Sequence, residues 1–142
     1  MVNQSQFQRR AYSALNARQQ ENYNFQKIAA QFADYGFNCL RLSDDWQGAD
    51  FIACHIDGVI FLKIQQKGRL TFNKKYIGKD IHIAFLIEND CYVYPHDEFL
   101  ERLQKLDRCK STFDTKSWIE NGRYDWRQPP SWAIDVLNEY KL

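Results

Sequence analysis

Residues 49–67 read ADFIACHIDGVIFLKIQQK, and they contain the most informative local pattern of the chain. Its two apolar segments flank Asp57-Gly58, a dipeptide typical of the tight turn between antiparallel strands. A turn at this point places Asp50 opposite Gln65, and Lys67 follows on the same face because side chains alternate along a strand. The stretch therefore predicts a β-hairpin that brings a carboxylate, an amide and an ammonium group together.

These polar groups predict a magnesium site at the end of the hairpin. Asp50, the side-chain oxygen of Gln65 and the backbone carbonyl of Gln66 are the hard oxygen donors that Mg²⁺ prefers. Glu21 lies one helical turn before an apolar stripe, so we expect its carboxylate to lean toward the interior and to join them. Lys67 can then orient or deprotonate a water molecule, or offset charge that builds on a phosphate. The alternative is an amphipathic strand whose lysines face the solvent.

Hydrophobic periodicity predicts the remaining elements. A helix from about 16 to 35 carries its apolar stripe up to Gly36, which ends it. The later helices are expected from an Asp97 cap to about 106 and over 132–140, with an irregular, aromatic region between them. The segment 70–80 is short for a helix that crosses between parallel strands. The strands are expected at 37–42, 49–56, 59–69, 81–87 and 91–95.

Length and composition are those of one globular domain. The 142 residues include 44% hydrophobic and 26% charged residues, with a net charge of +1, so any affinity for a polyanion must be local. No apolar run approaches the roughly 20 residues that span a bilayer, and the polar start has no signal core. The four scattered cysteines indicate reduced thiols and a cytoplasmic protein without a membrane partner, and a zinc site has little support.

The hairpin pattern resembles the PD-(D/E)XK nuclease superfamily over about residues 16–95. Asp50 matches the metal-binding aspartate, Gln65 the acidic position, Lys67 the catalytic lysine and Glu21 the helical glutamate that many members have. The resemblance implies an α/β (α+β) fold with a restriction-endonuclease-like core, in which helices flank a mixed central sheet. It also implies Mg²⁺-dependent hydrolysis of phosphodiester bonds in DNA, with Mn²⁺ as a substitute.

Two positions depart from the family pattern. Gly48-Ala49 stands where the motif name places a proline, which the family can do without. Gln65 replaces an acid and removes one negative charge from the metal site, although some active members also carry glutamine there. The expectation is a single nuclease-like domain over 1–142, with its core at about 16–106 and an aromatic extension at 107–142.

Basic residues concentrate beside the candidate site. Six of them lie between positions 63 and 79 without an intervening acid, as contacts to a phosphate backbone require, although a solvated loop is the alternative. Two further arginines lie among the tryptophans of the C-terminal region, which either caps the core, forms a dimer interface or contacts DNA. The predicted nucleic-acid contacts are Lys63, Arg69, Lys74, Lys75, Lys79, Arg123 and Arg127.

The sequence therefore favours a metal-dependent DNA endonuclease of the restriction, homing, junction-resolving or repair type. Because one small domain covers little DNA, we expect a homodimer or a higher symmetric oligomer. Two other functions stay open: a nucleic-acid-binding module that keeps the fold without catalysis, and a protein-interaction module that uses the aromatic tail.

Overall fold

The computed structural model describes residues 4–106 and 110–142. These residues form five α-helices, Ala17–Ala33 (α1), His96–Gln104 (α2), Lys110–Phe113 (α3), Lys116–Asn121 (α4) and Ser131–Leu137 (α5). They also form seven strands, Phe37–Trp46 (β1), Ala49–His55 (β2), Phe61–Gln66 (β3), Leu70–Asn73 (β4), Ile81–Ile87 (β5), Asp90–Pro95 (β6) and Arg123–Trp126 (β7). Helices therefore flank two sheets.

The larger sheet is mixed and has the strand order β1-β2-β3-β5-β6. Its central strands β3 and β5 run parallel, and every other neighbouring pair is antiparallel. The smaller sheet pairs β4 with β7. The predicted α/β (α+β) class with a mixed central sheet and flanking helices is confirmed.

The hairpin has the predicted register. Phe51 pairs with Ile64 and Cys54 with Phe61, the alignment that a turn at Asp57-Gly58 requires. The Asp57 carboxylate closes the turn by accepting the N–H groups of Val59 and Ile60, at 2.8 and 3.0 Å. Gly58 adopts φ +72°, a left-handed conformation that glycine tolerates best. The strand after the turn is shorter than expected, since it ends at Gln66 rather than at 69.

Helix α1 begins with a reciprocal cap and covers one face of the sheet. The Asn16 side chain accepts the Gln19 N–H, and the Gln19 side chain accepts the Asn16 N–H, each at 2.9 Å. Two buried residues of the helix, Ile28 and Phe32, meet the inner residues of the hairpin and of β5 and β6. Packing of this apolar face fixes where the first turns of α1 lie relative to Asp50. The buried partners on the sheet are Phe51, Ala53, Ile64, Ala84 and Cys91.

The opposite face of the sheet carries the larger core, and the C-terminal region contributes to it. Phe72 and Tyr76 are buried there, together with Trp118 and Trp126. The expectation of an irregular region over 107–131 is wrong for its described part, because α3, α4 and β7 lie within it.

The connection from β3 to β5 holds no α-helix among its residues. It contains β4 and a short 3-10 turn, and β4 gains its hydrogen bonds from the distant β7.

The start of α2 also differs from expectation. The helix begins at His96 after Pro95, so Asp97 lies inside the first turn and caps nothing there. Instead, Asp97 Oδ2 accepts the Gly78 N–H at 2.8 Å and its Oδ1 lies 2.8 Å from His96 Nδ1. The buried His96 accepts the Asn73 N–H through Nε2 at 3.1 Å. This pair therefore fixes the connection between β4 and β5.

Three of the four cysteines are free thiols, and Cys109 lies outside the described residues. Burial raises the pKa of Cys39 to about 11 and that of Cys91 to about 12, so both thiols stay protonated at neutral pH. Within the described ranges, no helix has the length and apolar character needed to cross a membrane.

Candidate active site

Asp50 lies at the start of β2, directly after a tight turn. Asp45 Oδ1 accepts the Gly48 N–H at 2.8 Å, and Gly48 has φ +91°. A Cβ at Gly48 would lie 3.2 Å from the Tyr76 ring, so the turn packs closely on that side chain. This packing sets the point from which β2, and with it Asp50, enters the sheet.

The Asp50 carboxylate is half-buried and bridges the two strands of the hairpin. Its Oδ2 accepts the Gln66 N–H at 2.9 Å. Burial raises the pKa of Asp50, while the Gln66 N–H and the charge of Lys67 act in the opposite direction. Because the charged form costs solvation here, a cation that neutralises it is favoured at this position.

Gln65 presents an acceptor that the fold leaves unused. Its Oε1 is buried and accepts no hydrogen bond from the part of the chain that the structure describes. A buried carbonyl oxygen without a donor is destabilising by about 1–3 kcal/mol. The neighbouring Gln66 is engaged, since its Nε2 donates to the backbone carbonyl of Glu21 at 3.1 Å.

Lys67 follows β3 and remains tied to the sheet. Its N–H donates to the Ala84 carbonyl at 2.9 Å, and its Nζ lies 5.4 Å from the centre of the Tyr76 ring. Burial lowers the pKa of Lys67, and the attraction of Asp50 partly opposes this shift. The ammonium group is therefore held near the carboxylate in a partly desolvated position.

These residues line one cleft of about 470 Å³ against the first turns of α1. Asp50, Gln65, Gln66 and Lys67 form its sheet side, and Glu21 lies in its helix side. The expectation that Glu21 leans toward the interior is wrong. Its side chain is 61% exposed and accepts a hydrogen bond from Arg41 at 3.3 Å. The inward stripe of α1 begins only with Phe25, and Arg41 on β1 holds the Glu21 carboxylate at the rim.

The oxygen donors of the cleft fit a hard cation, although they carry few negative charges. Residues 4–106 and 110–142 contain no cluster of three or more His, Cys, Asp or Glu side chains able to hold a metal. The donors are instead the Asp50 carboxylate, the unpaired Gln65 Oε1 and the Gln66 carbonyl, with Glu21 nearby. Oxygen donors of this kind fit Mg²⁺, which keeps several waters and binds through one or two carboxylates.

Several of the predicted nucleic-acid contacts are engaged within the protein. The Lys63 Nζ donates to the Lys79 carbonyl, and the Lys79 Nζ donates to Gln47 Oε1 at 3.1 Å. Lys74 lies over the Trp118 ring and Lys75 over the Tyr76 ring, with their Nζ atoms at 5.2 and 5.1 Å from the ring centres. The lysines over the rings are held on apolar surface and present positive charge along the rim of the core.

The three arginines of the set have different surroundings. Arg69 pairs with Asp125 at 3.1 Å. Arg123 is exposed beside Lys67, and Arg127 lines a mostly apolar groove with Leu70 and Ile134. The three arginines therefore differ in their partners and surroundings, a difference that the sequence alone does not show.

Sequence reasoning missed Tyr76 and Asp125 as neighbours of Lys67, and it named Arg123 as a DNA contact without placing it there. Tyr76 lies beneath its ammonium group, and Arg123 and Asp125 come next to it from a strand far along the chain. The pairing of Arg123 with Asn73 on β4 brings them there. Only the alternation of charged and aromatic residues in RYDW, residues 123–126, could have suggested a strand with one polar face.

The described fold has known counterparts among solved structures. No protein-family model matches the chain, and neither does any curated protein. The chain is similar to a bacterial homing endonuclease, I-Ssp6803I, with 16% sequence identity, a TM-score of 0.51, and coverage of 88% of this chain and 94% of that one. It is also similar to the Holliday junction resolvase Hjc of Archaeoglobus fulgidus, with 15% identity, a TM-score of 0.43, and coverage of 52% and 76%. At 16% identity the likeness to I-Ssp6803I concerns the fold, and the restriction-endonuclease-like fold that the sequence resemblance implied is the fold of this chain.

Proposed function

We propose that this protein is a Mg²⁺-dependent endonuclease that hydrolyses phosphodiester bonds in DNA at the cleft of Asp50, Gln65 and Lys67. The observation that carries the proposal is the buried Gln65 Oε1, which lacks a donor among the described residues and lies in one cleft with a half-buried carboxylate. Buried acceptors in folded proteins are almost always paired, with ordered water or a bound ion where no protein donor reaches them, and the neighbouring Asp50 carboxylate favours a cation here. The fold shared with the homing endonuclease I-Ssp6803I supports the same reaction class.

Each residue has a distinct task in the proposed reaction. Asp50, Gln65 Oε1 and the Gln66 carbonyl would hold the ion, and Glu21 would add a carboxylate on leaving Arg41. When bound, Mg²⁺ supplies a Lewis acid that polarises the phosphate and increases the acidity of water. Mn²⁺ has the same preference for oxygen donors and substitutes for it.

Lys67 contributes to the chemistry through its ammonium group. Hydrolysis forms a bond from a water oxygen to phosphorus and breaks the bond from phosphorus to the leaving sugar oxygen, which receives a proton. Lys67 orients the attacking water and offsets negative charge that grows on the phosphate. Because burial lowers the pKa of Lys67, its neutral form is also more accessible for accepting the proton of that water.

The test uses supercoiled plasmid and branched DNA with Mg²⁺ or Mn²⁺. Asp50→Asn should abolish cleavage, since it removes the half-buried carboxylate that would hold the ion. Lys67→Ala should lower the rate while DNA affinity is kept, because its contribution lies in the transition state. If both variants cut at the rate of the unmodified protein, the assignment of this cleft is wrong.

The basic surface beside the cleft is proposed to follow the phosphate backbone. Changing Lys74 and Lys75 to alanine should weaken binding to all sequences alike and reduce the slope of log affinity against log salt by about one per lost contact. An unchanged slope would assign these lysines to packing on Trp118 and Tyr76.

Cutting both strands calls for a symmetric dimer, which light scattering of the DNA complex tests.

A binding module without catalysis is the second candidate. It is favoured by the lack of a cluster of three metal-ligating side chains among the described residues, which leaves the site with little negative charge. Isothermal titration with Mg²⁺ and Mn²⁺ separates the two candidates. A protein that binds DNA yet takes up neither ion at millimolar concentration is such a module.

A further inference from the structure

A second, polar groove opens beside Lys67. It has a volume of about 400 Å³ and shares Lys67 and Gly68 with the cleft of Asp50 and Gln65. Its other side belongs to the small sheet of β4 and β7, whose apolar face is packed in the core. The groove therefore continues the candidate active site in one direction along the surface. Its lining residues are Lys67, Gly68, Arg69, Thr71, Arg123 and Asp125.

The three cations of this groove differ in whether they have an anionic partner. Arg69 donates to Asp125 at 3.1 Å, and Lys67 is attracted by Asp50. The Arg123 side chain has no hydrogen bond or ion pair with any residue in the described ranges. Arg123 and Lys67 line the same groove, so two positive charges lie side by side there.

The backbone of Arg123 is fixed from several directions. Arg123 pairs with Asn73 on β4, and its carbonyl accepts the Ser117 hydroxyl at 2.6 Å. Gly122 precedes it with φ +67° at the end of α4, and the Gly122 carbonyl accepts the Lys74 N–H at 2.7 Å. The guanidinium group thus extends from a rigid base toward the groove.

An unpaired guanidinium beside a second cation creates a local site for an anion. The two positive charges repel each other less when a negative group lies between or beside them. The planar fork of arginine matches two oxygens of one phosphate, whereas a lysine offers a single point of charge. In a groove that continues from a phosphodiester cleft, the anion of fitting chemistry is the next phosphate of the same strand.

We propose that Arg123 binds the phosphate adjacent to the one that is cleaved and thereby positions the scissile phosphate at Lys67. The proposal rests on the proposed endonuclease function and adds to it a positioning residue for the substrate. Asp125 keeps Arg69 engaged, so that Arg123 is the guanidinium left for the backbone. The loss of a hydrogen bond to a charged group typically changes a rate or binding constant by roughly 10- to 100-fold, so the contribution of Arg123 to the cleavage rate is measurable.

The experiment combines protein variants with a modified substrate. Rates are measured under single turnover on a duplex that contains a mapped cleavage position, with Arg123→Gln, Arg123→Lys and the control Lys105→Gln, which removes one exposed cation outside the groove. The substrate carries either the normal phosphates or a neutral methylphosphonate next to the cleaved bond. Arg123→Gln should lower the cleavage rate constant at saturating protein about 10- to 100-fold, and Arg123→Lys should recover part of the loss.

The substrate change should reproduce the protein change. Neutralising the adjacent phosphate should slow the unmodified protein as much as Arg123→Gln does and should cause no further loss in that variant. Independent, multiplicative losses, or an Arg123→Gln rate equal to that of Lys105→Gln, would overturn this inference while leaving the endonuclease intact. An unmodified protein that cleaves no DNA would overturn the proposed function, and this inference with it.

Discussion

Replacing Gln65 with methionine should stabilise the metal-free protein while removing its response to magnesium. Methionine is unbranched and of similar length, and it takes away the buried Oε1 that has no donor among the described residues. An unsatisfied buried acceptor costs about 1–3 kcal/mol, of which imperfect packing of the thioether cancels a part. We expect a gain of about 1 kcal/mol, or roughly 2–4 °C in Tm for a chain of this size.

Magnesium should reverse this order of stability. A ligand that binds only the folded state at ten times its Kd adds about 1.4 kcal/mol. The unmodified protein should gain this amount, whereas Gln65→Met should gain little because Asp50 and a backbone carbonyl are left. Gln65→Glu should be less stable than the unmodified protein in EDTA, since it places a second negative charge beside Asp50, and it should gain more from the ion.

The assay is thermal unfolding in EDTA and across a Mg²⁺ series, followed by circular dichroism. Gln104→Met, on the exposed face of α2, makes the same change where no buried acceptor is removed and serves as the control. Equal gains from Mg²⁺ in Gln65→Met and in the unmodified protein would show that Gln65 is not a ligand. A loss of more than about 1 kcal/mol in EDTA would show that Oε1 has a bound water as its partner.

Three further outcomes are expected. Because burial raises the pKa of Asp50, its charge destabilises the fold at neutral pH, so Asp50→Asn should raise the Tm in EDTA; a lower Tm would show that the carboxylate itself is needed by the Gln66 N–H. The buried Tyr94 hydroxyl donates to the Thr71 carbonyl at 2.7 Å and accepts the Thr71 N–H at 3.2 Å. Tyr94→Phe should therefore lower the free energy of unfolding, measured in urea, by about 2 kcal/mol. No change would mean that β4 shifts and that Thr71 finds other hydrogen-bond partners. Burial lowers the pKa of His96, so the folded state binds a proton there less readily than the unfolded chain does. The free energy of unfolding should therefore decline as the pH falls below the ordinary histidine value of 6.5. His96→Gln should flatten this decline, and an equally steep decline in the variant would assign it to other groups.

The hairpin and its polar cluster could be predicted because their determinants are local. Asp57-Gly58 fixes the register of β2 against β3, and the register decides which side chains share a face with Asp50. The helix α1 and strand β5 follow from periodicity and from apolar content for the same reason. Short-range patterns were sufficient wherever the partner of a residue lies within the next strand or turn.

The remaining features depend on partners far apart in the sequence. The pairing of β4 with β7 joins positions that no local pattern connects, and it brings Arg123 and Asp125 to Lys67. The orientation of Glu21 depends on Arg41, which lies on another element. A hydrophobic stripe predicts only which face of a helix is covered, and the stripe of α1 that packs on the sheet begins at Phe25, after Glu21.

The joining of β4 to a strand from the end of the chain bears on how the protein is made. A ribosome releases the hairpin with Asp50, Gln65 and Lys67 long before it releases β7, since Arg69 and Asp125 are 56 positions apart. Closing a loop of this length is an entropic cost that the chain meets only once the late strand is present. The groove beside Lys67 is therefore completed only after β7 has been made, and a nascent chain carries the cluster of Asp50, Gln65 and Lys67 before the surface beside it is finished.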